Sequence, residues 1–112
     1  MPKPSRVGDR GAEGPRPWTV EFATSAAREI RGYGLDDARF RPTLRELLEA
    51  LKQNPLQFPA KRGKLKDARA AGLRFAGASW RLVFVVSISQ HRVRVVSVAP
   101  HDAAYDRAKR RI

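Results

Sequence analysis

The chain has 112 residues, of which 23 are Lys or Arg and 11 are Asp or Glu, giving a net charge of +12, and it contains no cysteine. That length suits one domain of modest core, and the missing thiols exclude disulfides, thiolate metal sites and a cysteine nucleophile. The longest apolar run, Leu82 to Val86, is far shorter than the roughly 20 residues that cross a bilayer, and no apolar stretch follows Lys3 and Arg6, so a cytoplasmic protein without a membrane partner is expected.

Residues 1–17 hold four of the eight prolines and three of the eight glycines without apolar periodicity, which reads as a disordered lead-in to a single domain over 18–112. Trp18 to Phe22 alternates apolar and polar, as a strand does. Thr24 or Ser25 is the expected cap of a first helix that ends near Gly32 and Gly34. Asp36 or Asp37 should open a second, with Phe40, Leu44, Leu47, Leu48 and Leu51 on one stripe and Pro55 and Pro59 as its stop. A helical hairpin with such a stripe must lie on a sheet. Ala60 to Ala71 forms a basic connector, and from Gly72 the period changes to two. The pattern predicts three antiparallel strands, the last over Arg92 to Val98, and then a helix from Ala103 to Arg111 capped by Asp102. The fold class is therefore α+β: a small antiparallel sheet in the order strand, helix, helix, strand, strand, strand, helix, with the helical hairpin on one face.

The charge is distributed unevenly. Residues 1–60 carry 10 basic and 8 acidic side chains, a balance of +2, whereas residues 61–112 carry 13 and 3, a balance of +10. Such an excess attracts a polyanion, RNA foremost. A four-residue turn at Ala76 to Ser79 would set Arg74 opposite Arg81, and like charges so placed point to an anion held between them. A second turn at Ser89 and Gln90 would pair Ile88 with His91 and Arg81 with Val98. The chain leaving that strand then passes the arginine pair, and His101 and Tyr105, four apart, share a helical face if the helix begins early enough. Arg74, Arg81, His101 and Tyr105 are thus the candidate catalytic set, suited to metal-independent RNA cleavage. Arginines stabilise charge on the phosphate, while an imidazole or phenol handles the protons. Lys61, Lys64, Lys66, Arg69, Arg107, Arg110 and Arg111 are candidate RNA contacts. Only Asp67, Asp102 and Asp106 are acidic after residue 60, too few for a two-metal centre, and no cofactor is expected. Plainer roles compete: Trp80 fills the core, His91 decorates a turn, and the terminal arginines suit the negative end of a helix dipole.

The segment Gly72-Leu-Arg-Phe-Ala-Gly-Ala-Ser-Trp-Arg-Leu-Val-Phe, followed by Val93 to Val98, Pro100-His101-Asp102 and Tyr105, resembles the carboxy-terminal half of RelE/ParE-superfamily toxins. The resemblance spans roughly residues 18–112 and implies the RelE-like microbial RNase fold. It further implies the toxin of a type II toxin-antitoxin module that cleaves ribosome-bound mRNA and so inhibits translation. A cognate antitoxin is the implied partner, with a toxin-antitoxin heterotetramer as an assembly and operator DNA reached only through the antitoxin. Arg81 matches the family's phosphate-stabilising arginine, Arg74 a basic residue of the preceding strand, and Tyr105 the tyrosine of the last helix. His101 stands where the RelE branch often has arginine, and Gly72 where a second basic residue is expected. Two alternatives follow from the same resemblance: a ParE-like gyrase inhibitor without nuclease activity, and a degenerate member that binds only its antitoxin.

Overall fold

The computed structural model describes residues 16–60 and 68–112, so Lys61, Lys64, Lys66 and most of the expected lead-in lie outside the described residues. The elements run β1 (Thr19–Phe22), α1 (Thr24–Gly32), α2 (Arg41–Gln53), a 3-10 turn (Pro55–Gln57), β2 (Ala68–Phe75), β3 (Ala78–Ser87), β4 (Arg92–Pro100) and α3 (His101–Arg111). This is the predicted order, with four shifted boundaries. β2 begins at Ala68, inside the stretch expected to be connector up to Ala71, because Ala68 and Ala70 alternate onto the α3 face. Thr24 is already helical, and Ala23 precedes it without a side-chain cap, its N–H bonded to the Val95 carbonyl on β4. Asp37 closes a tight turn through Arg39 N–H (2.7 Å to Oδ1), so α2 starts later, at Arg41, with Pro42 in its first turn, where a missing N–H costs nothing. At the carboxy end α3 begins at His101, and Asp102 is its second residue and not its cap.

The sheet order is β1-β4-β3-β2. β2, β3 and β4 are antiparallel as expected, but β1 runs parallel to β4, so the fully antiparallel sheet of the sequence reading is corrected to a mixed one. The reason is topological. β1 is joined to its partner through the helical hairpin and two further strands, and no hairpin turn dictates its direction.

Helices cover both faces. The hairpin face buries Leu73, Leu82, Phe84, Val93, Val95 and Val98 against Leu35, Phe40, Leu44 and Leu51. The opposite face carries α3 and is lined by small residues: Ala68, Ala70, Val83, Val96 and Ala99 meet Ala104 and Ala108. Burying each large side chain on the first face contributes about 1.5–3 kcal/mol, against about 0.8 kcal/mol per methyl-sized group on the second. A bulge in β4 joins the two patterns. Phe84 pairs with Val95 but Val83 with Ser97, leaving Val96 supernumerary. Strand alternation therefore flips there: Val93, Val95 and Val98 face the hairpin, while Val96 and Ala99 face α3. Among the described residues no helix is long and apolar enough to cross a membrane.

Candidate functional site: an arginine-bearing strand pair under the terminal helix

The β2–β3 connection is shorter than expected. Phe75 pairs with Ala78, so only Ala76 (φ 52°) and Gly77 (φ 79°) form the turn. Two consecutive positive φ values make a primed two-residue hairpin, whose twist matches that of the strands it joins. The register moves accordingly. Arg74 faces Ser79, and Arg81 faces Gly72, which corrects the predicted Arg74–Arg81 opposition. The two arginines are instead diagonal neighbours on one face of the sheet.

On the other side of β3, Val85, Val86 and Ser87 pair with Arg94, Val93 and Arg92 in the register that the Ser89-Gln90 turn predicts. Beyond the bulge that register slips by one, so Arg81 faces Ala99 and not Val98. The slip matters because Ala99 is two residues from His101. Arg81 alternates with Val83 and Val85, both of which pack in the α3-side cluster, so Arg81 lies on the face that α3 covers.

The Arg81 guanidinium is half-buried and anchored. Its Nη1 donates to Ser79 Oγ at 3.2 Å and to the Trp80 carbonyl at 3.0 Å. Among the described residues its Nε–H and Nη2–H groups have no partner. Arg74 is exposed and donates from Nη2 to the Gly77 carbonyl at 3.2 Å. Starting α3 at His101 makes His101 and Tyr105 the neighbours their spacing predicts, with ring centroids 5.0 Å apart and edge-on at 84°. His101 Nδ1 lies 2.8 Å from Asp102 Oδ1. A carboxylate only accepts, so Nδ1 carries the hydrogen and Nε2 of the neutral ring keeps its lone pair. Tyr105 is half-buried against the alanine cluster.

The aromatic rings divide between the faces. Trp80 and Phe75 pack on the hairpin side, edge-on to Tyr33 (4.9 Å) and Phe40 (4.3 Å), away from Arg81. That is the core role anticipated for Trp80. His91 stacks on Trp18 (4.0 Å, 20°) and bonds the Arg16 carbonyl from the β3–β4 turn. Tyr105, by contrast, lies on the arginine face.

Several expected RNA contacts have other work. Glu29, on α1, is 8% exposed and receives four donors: Arg107 Nη1 at 2.6 Å, Arg111 Nη1 and Nη2 at 2.9 and 3.3 Å, and the Val98 N–H at 3.0 Å. Burial alone pushes its carboxyl up. The bonds from Arg111, Val98 and Arg107 more than reverse this and hold it below the ordinary glutamate value of 4.5. The Arg107 guanidinium is correspondingly raised, chiefly by its bond to Glu29. Arg107 and Arg111 therefore fasten α3 to the β4 edge. Arg69 is likewise engaged, donating to the Phe58 carbonyl at 2.7 Å, and Arg110 remains exposed. The sequence offered a signal for Glu29: a carboxylate between Ala26 and Ile30 on the apolar stripe of α1 needs a buried partner. Among the described residues no group of three or more His, Asp or Glu is placed to hold a metal.

The fold and this arginine-bearing hairpin define a small basic α+β domain of layered helix, sheet and helix, and it is similar to solved structures of toxins. A mutant of Escherichia coli toxin RelE in the free state is 24% identical, with a TM-score of 0.64 over 86% of this chain and 98% of that one. A chain of the intact E. coli RelBE toxin-antitoxin complex is 26% identical (TM-score 0.59, 74% and 95% covered). One of the RelBE2 toxin-antitoxin complex from Mycobacterium tuberculosis is 22% identical (TM-score 0.60, 75% and 98% covered). The protein is RelE-like in fold. No family model and no curated protein sequence matches it.

Proposed function

We propose that this protein is the toxin of a toxin-antitoxin pair and a metal-independent endoribonuclease that cuts mRNA on the ribosome. The observation that carries the reading is the anchored Arg81, whose unused Nε and Nη2 edge lies on the sheet face covered by the helix bearing His101 and Tyr105. That edge is the side-on fork that grips two oxygens of a phosphate. In the proposed reaction the ribose 2′-oxygen attacks the adjacent phosphorus and the bond to the 5′-oxygen breaks, leaving a 2′,3′-cyclic phosphate and a free 5′-hydroxyl. Arg81 and Arg74 offset the charge that builds on the phosphoryl oxygens. His101 Nε2 accepts the 2′ proton and Tyr105 supplies one to the departing oxygen, or the two exchange these roles.

An antitoxin partner is supported by neighbours of the same fold that occur in RelBE complexes and with an antitoxin peptide. Its acidic segment would cover the basic face, and a heterotetramer and antitoxin-mediated operator binding would follow from that pairing. The test is translating ribosomes mixed with the protein in EDTA. Codon-positioned mRNA breaks are expected, and Arg81→Ala should lower the cleavage rate about 10²–10³-fold. Intact mRNA with loss of gyrase supercoiling would replace this reading with the ParE-like one.

A further inference from the structure

Gly72 sits in the interior of β2, where glycine weakens a strand by roughly 0.5–1 kcal/mol relative to alanine. Its backbone is ordinary strand, without the positive φ that would demand glycine. The reason for it lies across the ladder. A Cβ on Gly72 would stand 2.7 Å from Arg81 Nη1 and 3.3 Å from Cζ, closer than a side chain tolerates. The Arg81 guanidinium therefore occupies the space that any other residue at 72 would fill.

We infer that Gly72 is a positioning residue for Arg81: its missing side chain opens a slot over β2 that seats Nη1 and turns the Nε and Nη2 edge toward a phosphate oxyanion. The inference deepens the reading of Arg81 as a phosphate-binding group and rests on it. The slot has two further walls. Ser79 Oγ, flanking from β3, and the Trp80 carbonyl each accept from Nη1, so one nitrogen is fully committed and the planar guanidinium is held in one orientation. Fixing an arginine before its ligand arrives removes rotamer entropy from the binding step. Arg74 is two residues along the same face, so an oxyanion in the fork sits in the field of both cations.

A methyl group at position 72 meets only the far end of a flexible side chain, so it should displace Arg81 without unfolding the strand. The probe is a 2′-O-methyl RNA trinucleotide, which cannot be cleaved. The readout is the arginine Nε–H nitrogen-15 spectrum, with the Arg81 signal assigned by its absence in Arg81→Lys. In the unaltered protein the trinucleotide should move the Arg81 signal. Gly72→Ala should keep the melting temperature within about 3 °C, because a surface change of this kind is worth only a few tenths of a kcal/mol. It should shift the Arg81 signal in the free protein and weaken trinucleotide binding about tenfold, the cost of one misplaced charge-assisted bond. In the Arg81→Lys background the same substitution should add no further loss. An unmoved Arg81 signal with unchanged affinity overturns the inference, as does a loss of equal size in the Arg81→Lys background. If Gly72→Ala does not fold, Ser79→Ala decides: a shifted Arg81 signal and a loss of about threefold support the slot, and no change refutes it. None of these readouts needs a ribosome, so absent mRNA cleavage would sink the nuclease reading while leaving the slot standing.

Discussion

The two faces of the sheet are built from different material. Beneath the helical hairpin, Phe84, Leu82, Leu73 and three valines interlock with Phe40, Leu35, Leu44 and Leu51, all of them buried. Beneath α3 the contact is mostly alanine, with Val83 and Val96 the largest buried side chains, supplemented by one buried hydrogen bond from Ser97 Oγ to the Ala104 carbonyl (2.8 Å) and by the Glu29 cluster at the edge. Small side chains let the terminal helix approach closely but contribute little apolar area. Polar fastenings therefore do for α3 what hydrophobic bulk does for the hairpin. The four candidate catalytic residues, Arg74, Arg81, His101 and Tyr105, lie on the lightly packed side. Stability is concentrated on one face, and the other is free to expose arginines, a histidine and a tyrosine.

This contrast can be broken on either side. The largest effect should come from Phe84→Ala, which empties a fully buried site on the hairpin face and should lower the unfolding free energy by about 3–5 kcal/mol in urea titration. Next is Glu29→Ala, which strands two arginines and an edge N–H. Because both guanidiniums are partly exposed and can rehydrate, the loss at pH 7 should be about 2–3 kcal/mol. This loss has a pH signature. The folded carboxyl titrates below its ordinary 4.5, so its contribution is complete above that value and fades as pH falls through the depressed folded value. Acid should therefore narrow the gap between variant and parent, whereas the Phe84→Ala gap should persist in acid. The smallest effect should be Ser97→Ala, about 1 kcal/mol by the same measurement, with faster amide exchange confined to α3.

Much of this architecture is legible in the residues, and the exceptions have physical causes. Period-two alternation located β2, β3 and β4, and the 3.6-residue stripe located α2, because burying one face of an element leaves its mark on every second or every third and fourth residue. The hairpin register was misread at Ala76-Gly77-Ala78-Ser79. Four small residues offer no marker of where the strands stop, and Ala76 adopts φ 52° where asparagine or aspartate would have announced the turn. The expectation of an antiparallel β1 fails because no local turn links it to β4 and dictates its direction. The closeness of His101 and Tyr105 was legible from their spacing only on the condition of an early helix start, which α3 meets by beginning at His101, whereas the anchoring of Arg81 was not legible. It depends on a residue nine positions away whose contribution is the absence of a side chain.

The extra residue in β4 has a consequence for how this protein tolerates length changes. Strand faces are a two-valued property, and Val96 is the point at which the value switches. Deleting it would remove the bulge and leave a regular ladder in which Ser97 still faces Val83 and Ala99 still faces Arg81, so that the terminal helix would leave on the same side of the sheet. A single-codon deletion at Val96 should therefore keep α3 beside Arg81, whereas deleting Val98, where no bulge absorbs the loss, would turn the start of α3 to the hairpin side. A one-residue insertion in the 3-10 turn at Pro55–Gln57 would change no strand's parity.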